Sequence, residues 1–455
     1  MIPEKYKNLK VLAILNGTGT GSKLLQSYLD GHSKIITIPG LILMYYYPHW
    51  KKITKNNTDI SYIIDEFFKL HPSLINTENL PGSDTLNKLG ENKNYSIKLD
   101  HNEFKKNIIS YMSGEEINSK NFFISIHLSY YQTIKFNIEN IQIISYHIHT
   151  HYFLSDLTKD FKNIYIISML RELKSNVKKR IFNSFQKPNK FYLNKTDSII
   201  LRRISYKNVI YQSFENIDVL KKFKKFPIMA IKHEDFLTRK NEIIIKLCTY
   251  LNINSEDILY ESTYNKLKWN PEFYNIKKFK NGVSKNITDI NKEDYFFYEI
   301  FWMDSLNSNY NSKYNYQKKN KSILSLFLTF FAILLPSKME LRLFLLCFNF
   351  NYFKKYFRFL TFEINNCSKL KNYKMYAFYN HKWTNKSVPF RFYNFFISYL
   401  KSGRLFGKIL YFTFKSIQYA SQPFFIIIEY FYRVIFTLKI LFRLIKDLRY
   451  LPEIL

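Results

Sequence analysis

Along the first two thirds of the chain, short β-branched apolar runs alternate with longer stretches of helical period. The runs fall at 11–15, 35–38, 141–144, 164–168 and 226–231. Each has the length of a strand, and strands buried on both faces read as continuous apolar runs rather than as alternation. After the first run, Leu24, Leu25 and Leu29 recur at helical spacing and predict an inward face. Such strand–helix alternation predicts an α/β fold, a P-loop-like three-layer sandwich with a central parallel sheet. No internal repeat interrupts it.

Beyond residue 310 the pattern changes. Residues 311–321 are rich in Asn, Lys, Ser and Tyr and read as a linker. The predicted division is therefore a domain at 1–310, a linker at 311–321, and a basic, aromatic helical region at 322–455. Residues 322–337 carry no charge, but the run is short of the roughly 20 residues that a spanning helix needs. In 424–449, Glu429, Arg433, Lys439, Arg443, Lys446 and Asp447 share an arc of roughly 140° at about 100° per residue. Two arrangements fit this periodicity. One is a basic amphipathic helix lying on an anionic membrane; the other is a helix packed on its own protein with its charges outward.

Composition adds a strong field. The 455 residues include 68 Lys and Arg against 36 Asp and Glu, a formal net charge of +32. Such a chain attracts polyanions, whether a phosphorylated cofactor, anionic lipid or nucleic acid. Cys248, Cys347 and Cys367 form no CxxC pair and no even-numbered disulfide framework, which points to a reducing compartment. The N-terminus is polar, and the 11–15 run is too short for a signal-peptide core. A cytoplasmic location is expected, and the first of the two helix arrangements would add peripheral association at the inner membrane face through the 424–449 segment.

The clearest local chemistry is VLAILNGTGTGSKLLQSYL at 11–29. A strand enters a Gly/Thr-rich turn and leaves as a helix. Glycines let backbone amides approach an anion, and the helix N-terminus adds partial positive charge. Thr20 and Ser22 add hydroxyl donors, and Lys23 a full charge. The ATP-type phosphate loop is not matched: counted from Gly17, Ser22 replaces its second glycine and Leu24 its metal-binding hydroxyl. The dinucleotide pattern also fails, because Ser22 stands where its last glycine belongs.

A second run, NIYIISMLRELKSNVKK at 163–179, places Arg171 where a strand gives way to a helix. A guanidinium there offers paired donors to a phosphate, and the helix adds its dipole. The alternating histidines His147, His149 and His151 would share one face of a strand. Histidine suits proton abstraction at neutral pH, and three on one face could alternatively hold zinc. His127 reads as a helix-core residue.

These two runs resemble the PAPS-dependent sulfotransferases (PAPS is 3′-phosphoadenosine 5′-phosphosulfate). GTGTGSKLLQSYLDGHSKIITIPG at 17–40 is similar to the family's 5′-phosphosulfate loop, and 163–179 to its 3′-phosphate strand and helix. Gly19 stands where the family usually has a basic residue, and Lys23 where Thr is common. The resemblance implies PAPS as cofactor without a metal. It implies that Thr20, Gly21, Ser22, Lys23 and Leu24 line the sulfate end, and that Arg171 holds the 3′-phosphate. Lys179 occupies the usual Ser position of the following helix, with Ser175 one turn earlier. His149 matches the family's base best, with Lys23 beside the reacting group; His147 and His151 stay open as alternatives. MAIKHEDF at 229–236 resembles the family's strand-to-helix segment, where Asp235 would cap the next helix. Lys280-Asn281-Gly282 is loosely similar to its closing loop. The resemblance spans about 8–305, and the acceptor it implies is a hydroxyl or amine of a glycan, lipid or small molecule. Two other classes stay open: a metal-dependent nucleotide kinase or NTPase, and a non-enzymatic membrane or nucleic-acid scaffold. Under the sulfotransferase reading, nucleic acid is not an expected partner.

Overall fold

The computed structural model describes residues 1–16, 19–55, 57–78, 86–148, 153–181, 220–269, 279–280, 283–284, 295–316, 323–348, 422–445 and 451–455, with scattered positions between 409 and 420. These group into two compact units: 1–171 with 215–287 and 450–455, and 172–214 with 288–449.

The first unit is a six-stranded parallel sheet flanked by helices, an α/β fold. Strands β1 (Lys10–Asn16), β2 (Ile35–Thr37), β3 (Ile143–Ile148), β4 (Ile164–Leu170) and β5 (Ile228–Lys232) lie in the order β5–β4–β1–β3–β2, and Glu453–Ile454 pairs outside β5. Val11 to Leu15 of the central strand are fully buried, as a strand covered on both faces requires. The predicted 141–144 strand forms later, at Ile143–Ile148. Burial carries it through the polar Ser145 and His147, which an apolar-run criterion stops short of. His127 lies in helix Ser119–Thr133 as expected, fully buried, with Nδ1 donating to the Phe123 carbonyl at 2.8 Å.

Helix Ser22–Leu29 buries Leu24, Leu25 and Leu29 as predicted. Its far end is tied down. Gln26 Nε2 donates to the Ile38 carbonyl at 3.2 Å, and buried Asp30 accepts from Thr263 Oγ1 at 2.9 Å and the Lys266 amide at 2.8 Å. Tyr264 O–H donates to the Lys23 carbonyl at 3.0 Å. The helix, and with it the turn that precedes it, is thus held from Ile38, just after β2, and from the 263–268 hairpin.

The second unit has its own apolar cluster, including Leu173, Val177, Trp302, Met303, Ile333 and Ile440. Its division from the sheet does not follow the predicted domain line at 310. Residues 172–181 and 295–310 group with the later helices, because their apolar faces close that cluster. The first residues of the expected linker are folded: helix Ser308–Lys313 buries Tyr310 and Asn311, and Tyr314 is fully buried beside Tyr310 at 4.9 Å. Residues 317–321 lie outside the described part.

The 424–449 segment forms helix Gln422–Ile445, but it does not turn all its charges outward. Arg433 is 4% exposed. Its Nε donates to Glu340 Oε1 at 2.7 Å, Nη1 to the Ile333 carbonyl at 3.0 Å and Nη2 to the Leu335 carbonyl at 2.8 Å. Helix Ile323–Leu334 ends there, and terminal carbonyls without an intrahelical donor need one from elsewhere. Arg433 supplies it, and so its side of the helix is buried. Beside it, Glu299 Oε2 accepts from the Lys338 and Phe296 amides, both at 2.9 Å.

Burial pushes the Glu299 carboxyl up to about 7 from an unfolded value of 4.5. A carboxyl raised in the folded state contributes its stability fully below the unfolded value and loses it as pH rises through the folded one. Glu299→Gln keeps the amide acceptor without the charge. Between pH 5 and pH 8 the variant is therefore expected to gain on the wild type by up to about 3 kcal/mol. Urea unfolding of both proteins at the two pH values measures the difference; a constant offset would contradict it.

Candidate functional site

The sheet's carboxyl edge brings the turn carrying Thr20 to Lys23 together with His147 and Arg171. Strand β1 ends beside β4, with Asn16 in register with Met169, and beside β3, with Ile14 opposite His147. Gly17 and Thr18 lie outside the described part. The turn then passes through Gly19 at φ 91° and Gly21 at φ 90°, left-handed conformations that favour glycine. Gly21 is the N-cap of helix Ser22–Leu29, so the first-turn amides of that helix point toward the turn.

Thr20 and Ser22 are buried at the turn. Ser22 Oγ lies 2.7 Å from His147 Nε2, and His147 Nδ1 lies 3.4 Å from the Gly40 carbonyl. Because a carbonyl only accepts, Nδ1 carries the proton and donates to Gly40, and Nε2 accepts from the Ser22 hydroxyl. Burial, reinforced by the nearby charge of Lys23, lowers His147 to about 3. The imidazole is thus neutral near pH 7 and orients Ser22. Its folded value being depressed, its contribution to stability is complete above the unfolded value of 6.5 and declines as pH falls toward 3.

Arg171 follows β4 directly and is largely buried. Its Nη1 donates to the Gly19 carbonyl at 3.0 Å. One neighbouring strand thus places a guanidinium against the turn that the central strand presents. Lys23 is partly exposed, whereas the Leu24 side chain enters the core. Only the backbone of Leu24 faces the turn, as a first-turn residue. Thr20, Ser22, Lys23 and Arg171 all carry donors, and residues 17–24 contain no carboxylate.

Sequence reasoning missed His233 as a part of this turn. It opens helix His233–Thr238 at the end of β5 and is 1% exposed. A Cβ built on Gly21 would fall 2.4 Å from His233 Nδ1. The run 229–236 drew attention to His233, but its partner lies far away in the chain, and no local signal joins the two. The expected cap by Asp235 is not formed. Lys232 is the N-cap position of helix His233–Thr238, without a side-chain bond, and Arg239 likewise starts the helix after it. Asp235 sits inside the first turn, 3.7 Å from Lys232 Nζ and 3.1 Å from Arg239 Nη2.

Ser175 and Lys179 belong to helix Leu173–Ile181 of the second unit. Ser175 Oγ donates to Glu172 Oε2 at 2.5 Å, and the Lys179 side chain is outside the described part. Lys280 pairs with Val283 in a short antiparallel ladder, and Asn281 and Gly282 lie outside the described residues. His149 and His151 also lie outside the described residues. Among the described residues, no group of three or more His, Cys, Asp or Glu could hold a metal ion.

No protein-family profile matches this chain, and no curated protein matches it significantly. Similar solved structures include the sulfotransferase domain from the curacin biosynthetic pathway, at 15% identity and TM-score 0.34, over 61% of this chain and 83% of that one. The sulfotransferase domain of the Synechococcus PCC 7002 olefin synthase is similar at 13% identity and TM-score 0.34, over 64% and 91%. A sulfotransferase from Mycobacterium avium follows at 9% identity and TM-score 0.30, over 69% and 79%.

Proposed function

We propose that this chain is a PAPS-dependent sulfotransferase that moves a sulfuryl group to a hydroxyl or amine. The observation that carries the proposal is the carboxylate-free turn Gly19–Lys23 on a helix N-terminus, whose Gly19 carbonyl is gripped by Arg171 from the adjacent strand. This donor set fits a phosphosulfate anion. The buried side chain of Leu24 favours it over metal–nucleotide chemistry, because the ATP-type loop needs a metal-binding hydroxyl there. The sequence resemblance of 17–40 and 163–179 to the sulfotransferase motifs supports the same conclusion.

PAPS, when bound, supplies an activated sulfuryl group whose transfer needs no metal. The turn's amides, that of Ser22 included, the Thr20 hydroxyl and Lys23 would hold the 5′-phosphosulfate end while the Ser22 hydroxyl stays on His147, and Arg171 would hold the 3′-phosphate. His147, neutral and bonded to Ser22, is a positioning residue. His149 takes the acceptor's proton, a role resting on the sequence resemblance. Lys23 would supply the positive charge that stabilises the leaving phosphate end. The acceptor class is a glycan, lipid or small-molecule hydroxyl or amine.

Formation of PAP, the desulfated 3′,5′-bisphosphate product, from radiolabelled PAPS tests the proposal. With a panel of glycolipid and small-molecule acceptors, turnover is expected to persist in EDTA. His149→Ala is expected to lower it by about 10²- to 10⁴-fold, the usual contribution of a general base. Magnesium-dependent ATP turnover without PAPS turnover would overturn the proposal in favour of a kinase or NTPase. Salt-sensitive DNA binding without PAPS affinity would instead favour the scaffold.

A further inference from the structure

We propose that the second unit docks on the surface of an anionic lipid bilayer through the outward faces of its apolar helices. This is independent of the sulfuryl-transfer proposal. In helix Gln422–Ile445, Phe424, Phe431, Ile435 and Phe442 are 64%, 56%, 52% and 57% exposed. At about 100° per residue they fall within roughly 40° of one another, a single stripe along the helix. Helix Ile323–Leu334 repeats the arrangement, with Leu324, Phe327 and Phe331 at 65%, 60% and 50%.

The polar groups run the other way. Arg433 and Thr437 are buried on the opposite side of helix Gln422–Ile445, and Glu340 and Glu299 are buried with them. A helix that turns Arg inward and a phenylalanine stripe outward is patterned for an apolar exterior. Large exposed apolar patches mark interaction surfaces rather than ordinary solvated faces.

Charge decides the occupant. Residues 322–449 contain 20 Lys and Arg against 4 Asp and Glu. Lys439 is exposed and borders the stripe, roughly 40° from Ile435. Apolar anchors among cations suit the interface of an anionic membrane, where the anchors enter the acyl boundary and the cations meet headgroup phosphates. Nucleic acid would satisfy the cations but leave the phenylalanines in water. A second copy would bring together two surfaces of the same strong charge. No helix among the described residues is long and apolar enough to cross a membrane, so the mode that fits them is lying on the bilayer.

Sedimentation of the full-length protein with sucrose-loaded vesicles tests this. Binding to mixed phosphatidylcholine–phosphatidylglycerol vesicles is expected to exceed binding to phosphatidylcholine alone by at least about 10-fold, and to weaken with salt. The double variant Phe431→Ser/Ile435→Ser changes exposed positions and is expected to keep the wild-type melting temperature while losing about 100-fold in vesicle affinity. Lys439→Glu is expected to lower affinity about 10-fold for the anionic vesicles alone. Equal vesicle binding by the double variant and the wild type would overturn the proposal. So would no vesicle binding by the wild type, or stripe variants that instead abolish DNA binding or self-association. Unchanged PAP affinity in the double variant would keep the two proposals separate.

Discussion

Gly21→Ala is expected to cost about 3 kcal/mol of stability and to abolish cofactor binding. Two independent effects add. The backbone there has φ 90°, which a residue with a Cβ adopts at a cost of about 1 kcal/mol. The new Cβ would also stand 2.4 Å from His233 Nδ1, well inside van der Waals contact. His233 belongs to a buried ring at the start of a helix, so it has little room to retreat. A shift of either partner moves Ser22, which immediately follows Gly21 and positions the first-turn amides. A second variant separates the effects: Gly21→Ala in a His233→Ala background keeps the backbone strain and removes the collision. Urea unfolding of the four proteins of the cycle is expected to give a coupling of about 1–2 kcal/mol. Additive effects would show that the collision is relieved elsewhere.

Arg171→Ala is expected to lower PAP affinity by about 100-fold or more. The guanidinium has two tasks, and both end with the substitution. It grips the Gly19 carbonyl at 3.0 Å, which fixes the turn, and in the proposed role it would bring cationic donors to the anion. A hydrogen bond to a charged group contributes about 1.5–3 kcal/mol, a factor of roughly 10–100 in affinity. Loss of the turn's support adds to it. Arg171→Lys keeps charge but loses the planar fork, and should fall between the two. Equal PAP affinity in all three proteins, with melting temperatures unchanged, would remove Arg171 from the proposed site.

The sheet was legible because its signals are local. The apolar run of β1, the inward Leu25 and Leu29, and Arg171 at the end of β4 all follow from short stretches of sequence. Non-local pairing was not legible. Three alternating histidines read alike, and only the register of β3 against β1 brings His147 onto Ser22. Gly21 announced a turn but not the ring of His233 against it. Arg433 shows a different limit. Periodicity defines a face without saying what covers it, and the carbonyls at the end of a neighbouring helix, together with Glu340, draw that charge inside. The grouping of 172–181 with the later helices was not legible for a related reason, since Leu173 and Val177 complete an apolar cluster formed by residues far later in sequence.

Calorimetric titration of the full-length protein with PAP in EDTA tests the central claim most directly. Saturable, stoichiometric binding without metal, with a dissociation constant in the micromolar range (about −8 kcal/mol), is the predicted result. A well-folded protein that does not bind PAP, or that binds Mg-ATP in preference to it, would contradict the account.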